Sequence, residues 1–543
     1  MEQAPPIVNR ADKEYPKGLN LFLLTIAICL TIFLISLDFS IIATAIPAIT
    51  SEFHSLNDVG CQVMSGQVNM QLAYLLTTAS SQLLIGKFYT IFNIKHVFLM
   101  ALLVFGIGSA ICGAAPNSIA LILGRAIAGC GNAGLLSGAL LIMAHSVPLA
   151  RRPLFTSAIT GGVYGVAAIA GPPLGGVFTD KISWRWCFYI NLPIGAVVLV
   201  VVAVFFPTPE VPQRPKPTSF WARIKRFDPI GTVVFMPAIV CILLALQWGG
   251  TTYAWKDGRI IALFVLFGLL ILAFLAVQCW AQDDATVPPR VFKLRTIWSC
   301  ALYQFCLGAS FFIFIYYLPI WFQAVQGVSA IESGKRTLPM LIGNMVGTTL
   351  AGVAVTIIGY YAPFMIAATV LTSIGGGLLT LLNPSSSSAV WIGFQVLVGF
   401  GIGVGWQQPI VAVQAAVDME DVPITTAILS FTQTIGGSLF VSVAQTAFSN
   451  KLVHDIHATL PDLDPGTILD NGAADLASHV PSKYLTQVLQ AYSNGLVQTF
   501  IVATVMAALS IVGACFVEWR SIKSSKQGGE EVGIKANTID PLK

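Results

Sequence analysis

The sequence is dominated by apolar runs that are long enough to cross a membrane. A transmembrane helix needs about 20 predominantly apolar residues, because the hydrocarbon core of a bilayer is roughly 30 Å thick. The predicted spans are residues 20–46, 70–86, 97–115, 118–144, 154–178, 187–206, 230–248, 260–281, 297–322, 337–358, 362–382, 389–416, 424–447 and 496–517. The chain is therefore predicted to be an all-α membrane protein with 14 transmembrane helices.

The spacing of these spans divides them into groups of six, two and six (6 + 2 + 6). We predict an N-terminal tail (1–19), an N-terminal six-helix bundle (20–206), two additional helices (230–281), a C-terminal six-helix bundle (297–517) and a C-terminal tail (518–543). A basic, Pro-rich linker (207–229) is expected to lie on the lipid headgroups. An outer loop (448–495) is expected before the last span.

The distribution of basic residues predicts the orientation of the chain. Only 10% of the residues are charged, and most of the 29 Lys and Arg residues fall in the tails and loops on the side of the two termini. Since cytoplasmic loops carry an excess of Lys and Arg, both termini are predicted to be cytoplasmic. The net charge of +4 gives no indication of a nucleic-acid partner.

The sequence contains no pattern that predicts a metal, a cofactor or an enzyme. None of the ten cysteines forms a Cys-x-x-Cys pair, and no nucleophile–base pairing or nucleotide-binding loop is visible. His454 and His457 are three residues apart in the outer loop, a spacing that would suit metal ligands. A solvated loop helix is the favoured interpretation of these histidines.

Two ionisable side chains lie deep within predicted spans. Asp38 is eight residues before Ile46, about 12 Å below the outer end of the first span, and Arg125 is seven residues after Ser118, roughly 10 Å below the same surface. Charges at this depth usually persist only when they are paired or functional. The two side chains are expected to form a proton-coupling pair; the alternative is a permanent ion pair that only holds two helices together.

Uncharged polar and aromatic side chains in the other spans suggest a substrate cavity. Amides can hydrogen-bond varied polar groups and cost less than ions in a membrane, so they suit a medium-sized, partly apolar, neutral compound. Each could equally serve as a contact between helices. The candidate cavity residues are Asn132, Tyr164, Gln304, Tyr316, Gln407, Gln408 and Gln433.

The fifth predicted span contains an unusual run of glycine and proline, GGVYGVAAIAGPPLGG, at residues 161–176. Small residues at this spacing let helices approach closely, and two prolines are expected to bend the helix near its outer third. A kinked, tightly packed helix with no further role is the alternative. The residues singled out here are Gly165, Gly171, Pro172, Gly175 and Gly176.

Several motifs resemble the fourteen-span drug:proton antiporter branch of the major facilitator superfamily, particularly its fungal toxin-efflux members. The resemblance covers about Leu21 to Trp519. In chain order, the motifs are LDFSII with AIP in the first span, GRAIAGCGNA in the fourth, GPPLGG in the fifth, WRWCFYINLP before the sixth, LALQWGG in the seventh and YYLPIWFQ in the ninth. The resemblance implies the major facilitator fold, with Asp38 carrying the proton and Arg125 taking part in proton transfer.

Two stretches depart from the pattern of this family. Thr90 and Ile91 stand where the superfamily pattern has Asp and Arg, so a cytoplasmic network of gating charges is expected to be mostly absent, with Lys87 and Lys95 left. Residues 61–72 replace a shorter segment before the second span. They are either an additional loop or the result of a misplaced intron boundary in the gene model.

The resemblance implies a proton-coupled efflux transporter that works by alternating access, with two six-helix halves moving around a central site. The implied substrate is a small, partly apolar organic compound, such as a fungal secondary metabolite or toxin. The expected partners are this substrate, protons and the lipid bilayer, with no nucleic acid and a monomeric protein. The expected location is the plasma membrane, with a vacuolar or vesicle membrane as the other possibility.

Two other functions remain open at the level of the sequence. A proton-coupled importer of an iron chelate or another small molecule would lack the antiporter glycine–proline signature that is present in the fifth span. A non-transporting membrane sensor would typically carry a long cytoplasmic extension, whereas the C-terminal tail is short.

Overall fold

The computed structural model describes residues 16–52, 62–207, 227–249, 253–460 and 483–523. The N-terminal part consists of helices joined by short turns. These helices are α1 (Gly18–Glu52), α2 (Gln62–Ile91), α3 (Ile94–Gly113), α4 (Ser118–Ser146), α5 (Arg152–Thr156), a π-helix (Ser157–Val163), α6 (Tyr164–Lys181), α7 (Trp186–Tyr189) and α8 (Asn191–Phe205). Two further helices, α9 (Pro229–Trp248) and α10 (Gly258–Ala281), correspond to the predicted additional pair.

The remaining helices form the C-terminal part. They are α11 (Pro289–Phe292), α12 (Arg295–Gln326), α13 (Ala330–Arg336), α14 (Leu338–Ile358), α15 (Ala362–Leu379), α16 (Ser388–Trp406), α17 (Gln408–Ala416), α18 (Val422–Thr459) and α19 (Leu485–Phe516). Helices α18 and α19 extend into both ends of the segment predicted as the outer loop. His454 and His457 therefore lie on a helix, as favoured from the sequence, and the described residues contain no group of three or more potential metal ligands.

Local signals in the sequence explain where several helices begin and end. The side chains of Asn93 and Asn117 accept hydrogen bonds from backbone N–H groups at the starts of α3 and α4. Gly327 and Gly359 end α12 and α14 in the left-handed conformation that glycine adopts without strain.

Within the described residues, 13 helical segments are long and apolar enough to cross a membrane. The predicted second span lies on α2, which has 30 residues but is more polar than the others. Its polar face packs against α4, where Gln82 Nε2 donates to Ser137 Oγ at 2.7 Å and Thr78 Oγ1 donates to the Gly129 carbonyl at 3.0 Å. Fourteen spans, and the cytoplasmic position of both termini, remain predictions.

Of the two additional helices, α9 packs against both halves of the molecule, and α10 packs against α9. The ring of Phe227, just before α9, lies 5.5 Å from that of Phe88 on α2. The ring of Phe235 on α9 lies 4.8 Å from that of Phe274 on α10 and 5.3 Å from that of Phe431 on α18. The pair therefore lies outside the two bundles but contacts a helix of each.

Lys87 joins α2 to the segment that follows α10. Its Nζ donates to the carbonyl oxygens of Asp284 and Ala285 at 3.0 and 2.7 Å. Lys95 donates to the carbonyl of Phe206 at 3.0 Å. The two lysines that remain of the expected gating network thus both donate to backbone carbonyls.

A buried aspartate fixes the additional pair to the same segment. Asp228 is 4% exposed, and its carboxylate accepts hydrogen bonds from Gly231 N, Gln278 Nε2 and both the backbone N and Oγ1 of Thr286, at 2.7–2.9 Å. Its backbone is left-handed, with φ 47°, a conformation that Asp and Asn tolerate better than most residues. This carboxylate therefore links the start of α9, the end of α10 and the chain leading to the C-terminal half.

We expect Asp228→Asn to lower the free energy of unfolding by about 1–3 kcal/mol, because one or more donors would then face an amide NH2 group in a buried site. Thermal unfolding of the purified protein in detergent measures the effect. Asp257→Asn is the matched control, since Asp257 caps α10 in a similar way but at an exposed position. Equal losses in both variants would contradict the assignment of Asp228 as a buried anchor.

The two halves contact each other near the ends that are predicted to be cytoplasmic. Gly86, near the end of α2, packs against Ala427 at the start of α18, and Gly352, near the end of α14, packs against Ser157 at the start of the π-helix. At both contacts an added Cβ atom would overlap the neighbouring atoms. The structure is therefore closed at this end along two lines, α2 with α18 and the π-helix with α14.

Candidate functional site

The deepest charges of the N-terminal half form a fully buried ion pair. Arg125 on α4 places its Nη1 atom 2.7 Å from Oδ2 of Asp38 on α1, and both side chains are 0% exposed. The surrounding apolar side chains on α1, α3 and α4 include Leu37, Ile41 and Leu121. The structure thus brings together the two residues that the sequence places at similar depth.

Asn191 provides the second hydrogen bond to the Asp38 carboxylate. Its Nδ2 lies 2.9 Å from Asp38 Oδ1 and 3.2 Å from Oγ of Ser109 on α3. Asn191 is the first residue of α8 and is 1% exposed. Each carboxylate oxygen of Asp38 therefore has one donor, from a different helix.

The segment that ends at Asn191 wraps along α1. At its beginning, Trp184 Nε1 donates to Oε2 of Glu52 at 2.5 Å, and Arg185 Nη1 donates to Oε1 at 2.7 Å. These hydrogen bonds, that of Trp184 first, lower the pKa of Glu52. The motif WRWCFYINLP therefore holds α1 at two levels, at its end through Glu52 and at its middle through Asp38.

The aromatic ring of Tyr74 on α2 covers the arginine. The Arg125 Cζ atom lies 4.1 Å from the ring centroid, a distance at which the ring face attracts a cation. The Arg125 atoms Nε and Nη2 have no hydrogen-bond partner among the described residues. The guanidinium is thus stabilised by one carboxylate oxygen and one ring.

Burial makes each charge of this ion pair depend on the other. Two charges in an apolar interior are tolerated because they compensate each other, and removing the charge from one leaves the other unpaired. Arg125 is a permanent positive charge, so the Asp38 carboxylate is its compensating partner. The attraction between α1 and α4 at this point therefore depends on both charges.

Asn191, Tyr74 and Ser109 were not predicted from the sequence as parts of this site. Asn191 lies in the motif WRWCFYINLP. The contacts of Asn191 and Tyr74 depend on how α8 and α2 pack against α1 and α4. An available signal for Asn191 was a polar amide at the start of a highly apolar helix, followed by a proline.

The glycine–proline run contacts two different neighbours. Gly171 packs against α1 so closely that an added Cβ atom would overlap the Ser40 side chain. Nearby, Ser36 Oγ donates to the Tyr164 carbonyl at 2.9 Å and Ser40 Oγ donates to the Ala167 carbonyl at 3.3 Å. This face of α6 is therefore bound directly to the helix that carries Asp38.

The other small residues of the run face the C-terminal half or open space. A Cβ atom on Gly161 would lie 2.5 Å from the Thr348 side chain of α14, and one on Gly165 would lie 3.1 Å from Met345 of the same helix. Gly175 is buried, whereas Gly176 has open space beside it. The run thus joins α1 on one face to the opposite half on another.

The backbone of this span is α-helical at the prolines, and the bend expected there stays a prediction. The structure continues α6 from Tyr164 to Lys181 through Pro172 and Pro173, and the side chain of Pro172 lies outside the described residues. The departure from α-helical geometry comes earlier, in the seven-residue π-helix Ser157–Val163. π-helical turns often occur at functional sites, and this one lies where the two halves meet.

We expect Gly161→Ala to lower the free energy of unfolding of the closed state by about 1–3 kcal/mol, because the new methyl group would push against Thr348. Gly162→Ala is the matched control: its added Cβ atom would meet nothing within 4 Å. Thermal unfolding of both variants in detergent measures the difference. If Gly162→Ala were destabilised as strongly, loss of glycine in the π-helix would be the cause, not the contact with α14.

The residues predicted to line a cavity fall into two groups. Tyr164, Tyr316 and Gln433 are accessible, and Tyr316 is 50% exposed although it lies in the middle of α12. The buried members have a carbonyl oxygen that lacks a hydrogen-bond partner among the described residues; they are Asn132, Gln304, Gln407 and Gln408. Gln407 and Gln408 lie at the break between α16 and α17.

Hydrogen bonds and close contacts give some of these amides a role in packing. Gln433 on α18 packs against Gly308 on α12, and Gln408 Nε2 donates to the carbonyl of Val404 at 3.1 Å. Elsewhere between the same two long helices, Tyr317 donates to Oε1 of Gln445 at 2.9 Å. These contacts do not bring the predicted cavity residues together as one cluster.

Comparison with known proteins agrees with this architecture. Residues 28–441 match the sequence profile of the Major Facilitator Superfamily. The "Aspyridones efflux protein" of Neocamarosporium betae is 62% identical over 517 residues, covering 95% of this chain and 90% of the relative. The "MFS-type efflux pump MFS1" of Trichophyton rubrum is 51% identical over 510 residues, covering 94% of this chain and 93% of the relative.

Solved structures share the fold at low sequence identity. The proton:xylose symporter XylE, bound to 6-bromo-6-deoxy-D-glucose, has a TM-score of 0.56 at 15% identity, with 93% of this chain and 98% of that chain covered. The human organic anion transporter MFSD10 (TETRAN) has a TM-score of 0.55 at 15% identity, with 90% and 100% covered. Taken with the profile match and the relatives, these likenesses establish that the chain is a multi-pass membrane protein that belongs to the Major Facilitator Superfamily.

Proposed function

We propose that the protein is a proton-coupled efflux transporter that exports a small, partly apolar organic compound, such as a fungal secondary metabolite or toxin. The direction of transport is supported by relatives named as efflux pumps, which are 62% and 51% identical over nearly the whole chain. The observation that carries the proton coupling is the fully buried Asp38–Arg125 pair.

In this proposal Asp38 is the proton carrier. Binding of an external proton removes its charge and weakens its attraction for Arg125, and release of the proton toward the cytoplasm restores the pair. Because Ser36 and Ser40 bind α1 to carbonyls of α6, a movement of α1 is transmitted to α6. Gly161 and Gly165 place the same span against α14, so the movement reaches the contact between the halves.

The proposed substrate contacts are the amides and tyrosines of the predicted cavity. Asn132, Gln304, Gln407 and Gln408 each offer a carbonyl oxygen without a partner among the described residues. Such oxygens can accept hydrogen bonds from hydroxyl or N–H groups of a ligand. Tyr316 and Tyr164 would supply aromatic surface for its apolar part.

We further propose that the protein acts as a monomer in the plasma membrane, where export would protect the cell from its own product. The importer and the sensor are not proposed, since no observation favours either.

Metabolite profiling of a deletion strain tests the proposed function. Compounds would be quantified by mass spectrometry inside and outside cells that carry the wild-type gene, no gene or the gene restored. We expect at least one apolar metabolite to accumulate inside the deletion strain and to return to the medium on restoration. An unchanged distribution of every compound would contradict export.

A further inference from the structure

The amide of Asn191 can match either protonation state of Asp38. Its Nδ2 group donates to Asp38 Oδ1 at 2.9 Å and to Ser109 Oγ at 3.2 Å, while its own Oδ1 has no partner among the described residues. Asp38 and Asn191 are 0% and 1% exposed. Both ends of the amide are therefore enclosed by protein, and one of them is unused.

The two partners of Asp38 differ in what they can do when the carboxylate becomes a carboxyl. Arg125 only donates hydrogen bonds, so it cannot accept one from a new O–H group. An amide donates through its nitrogen and accepts through its oxygen, and a half-turn of its terminal group exchanges the two. A serine hydroxyl likewise donates or accepts.

We propose that Asn191 is a positioning residue that holds Asp38 in both protonation states by reversing its side-chain amide. With Asp38 ionised, Asn191 Nδ2 donates to Asp38 Oδ1, as in the structure. With a proton from solvent bound to Asp38 Oδ1, the amide turns so that its oxygen accepts from that O–H group. Ser109 then donates to the same amide oxygen instead of accepting from the nitrogen, and Arg125 keeps its proton and its contact with Asp38 Oδ2.

Other titratable groups face this site from each packed helix. They are Arg125 on α4, Tyr74 on α2, Cys112 on α3 and Tyr164 on α6. Among the described residues, however, Arg125 and Asn191 make the hydrogen bonds to the Asp38 carboxylate. Of these two, only Asn191 can change from donor to acceptor.

Infrared difference spectroscopy tests this without a substrate. The full-length protein in lipid nanodiscs would be measured at acid and alkaline pH, with protons as the sole ligand. The Asp38 carboxyl band is the one lost in Asp38→Asn, and the Asn191 amide band is the one lost in Asn191→Leu. We expect the Asn191 amide band to change with pH in the wild type and this change to disappear in Asp38→Asn.

The variants at Asn191 separate positioning from packing. Asn191→Leu keeps a similar volume but neither donates nor accepts, so the Asp38 carboxyl band should move to higher wavenumber. Asn191→Ser keeps a group that donates and accepts, so the band should return most of the way. Gln395→Leu, which removes a buried amide in the C-terminal half, is the matched control and should leave both bands in place.

The proposal rests on the proton role of Asp38, and the outcomes distinguish the two. If the Asp38 band changes with pH but the Asn191 band does not, the proposed reversal of the Asn191 amide is contradicted, whereas the proposed transport function is not affected. If no carboxyl band is lost in Asp38→Asn at any pH, the proton role of Asp38 and the reversing amide both fall. An equal shift in Asn191→Leu and Gln395→Leu would reduce Asn191 to a packing residue.

Discussion

Replacing Asp38 with Asn is expected to reduce pH-gradient-driven efflux to background while the protein still reaches the membrane. The amide keeps the size of the carboxyl and can accept the hydrogen bond from Arg125, but it carries no titratable proton. Efflux of the metabolite identified in the deletion strain, measured in cells with an imposed pH gradient, gives the result. Normal gradient-driven efflux by this variant would contradict the proposed role of Asp38 as the proton carrier.

A second variant separates lost coupling from lost stability. Leaving a buried charge unpaired typically costs about 3–5 kcal/mol, so Asp38→Asn should also unfold at a lower temperature. The double variant Asp38→Asn/Arg125→Gln removes the unpaired charge and should regain stability, yet it should remain unable to use the gradient. Recovery of gradient-driven efflux by the double variant would show that the pair serves only to hold α1 and α4 together.

Replacing Gly171 with Leu is expected to reduce efflux to background as well, for a steric reason. Even a Cβ atom at this position would overlap Ser40, and the remaining leucine atoms would force α6 away from α1. Overpacking of this kind typically costs about 1–3 kcal/mol and breaks the hydrogen bonds from Ser36 and Ser40 to α6 carbonyls. Efflux and the amount of protein in the membrane are the two measurements.

Gly268→Leu provides the control for Gly171→Leu. Gly268 lies in α10, and an added Cβ atom there would meet nothing within 4 Å. This variant carries the same change in helix propensity and hydrophobicity, so it should export normally. Normal efflux by Gly171→Leu at wild-type protein levels would contradict a functional role for the glycine–proline run and leave it a role in packing alone.

The sequence was sufficient for the fold because apolar runs and motif order carry that information. The similar depth of Asp38 and Arg125, which made their contact possible, also followed from simple geometry, since residue counts along a helix convert directly to depth in a membrane. Which side chains surround that pair did not follow. Asn191 reaches Asp38 across 153 positions of the chain, and such a contact depends on the packing of α8 against α1 and α3.

Local backbone geometry was less predictable than depth. The structure continues α6 through the two adjacent prolines and has a π-helical turn at Ser157–Val163, which was not predicted and which contains no proline. This turn lies against Thr348 and Gly352 of the opposite half. Its geometry therefore goes with long-range packing, which local sequence propensity does not reveal. Similarly, α2 begins at Gln62, within the stretch 61–72 that was expected to be an additional loop or a gene-model error.

The position of α9 and α10 makes the two sides of the transporter unequal toward the bilayer. Helix α9 lies beside the line where α2 meets α18, through the rings of Phe227 and Phe235. One hairpin can flank only one of the two lines along which the halves meet. A lipid-dissolved compound that approached the space between the halves sideways would therefore meet this apolar hairpin on one side and the π-helix with α14 on the other.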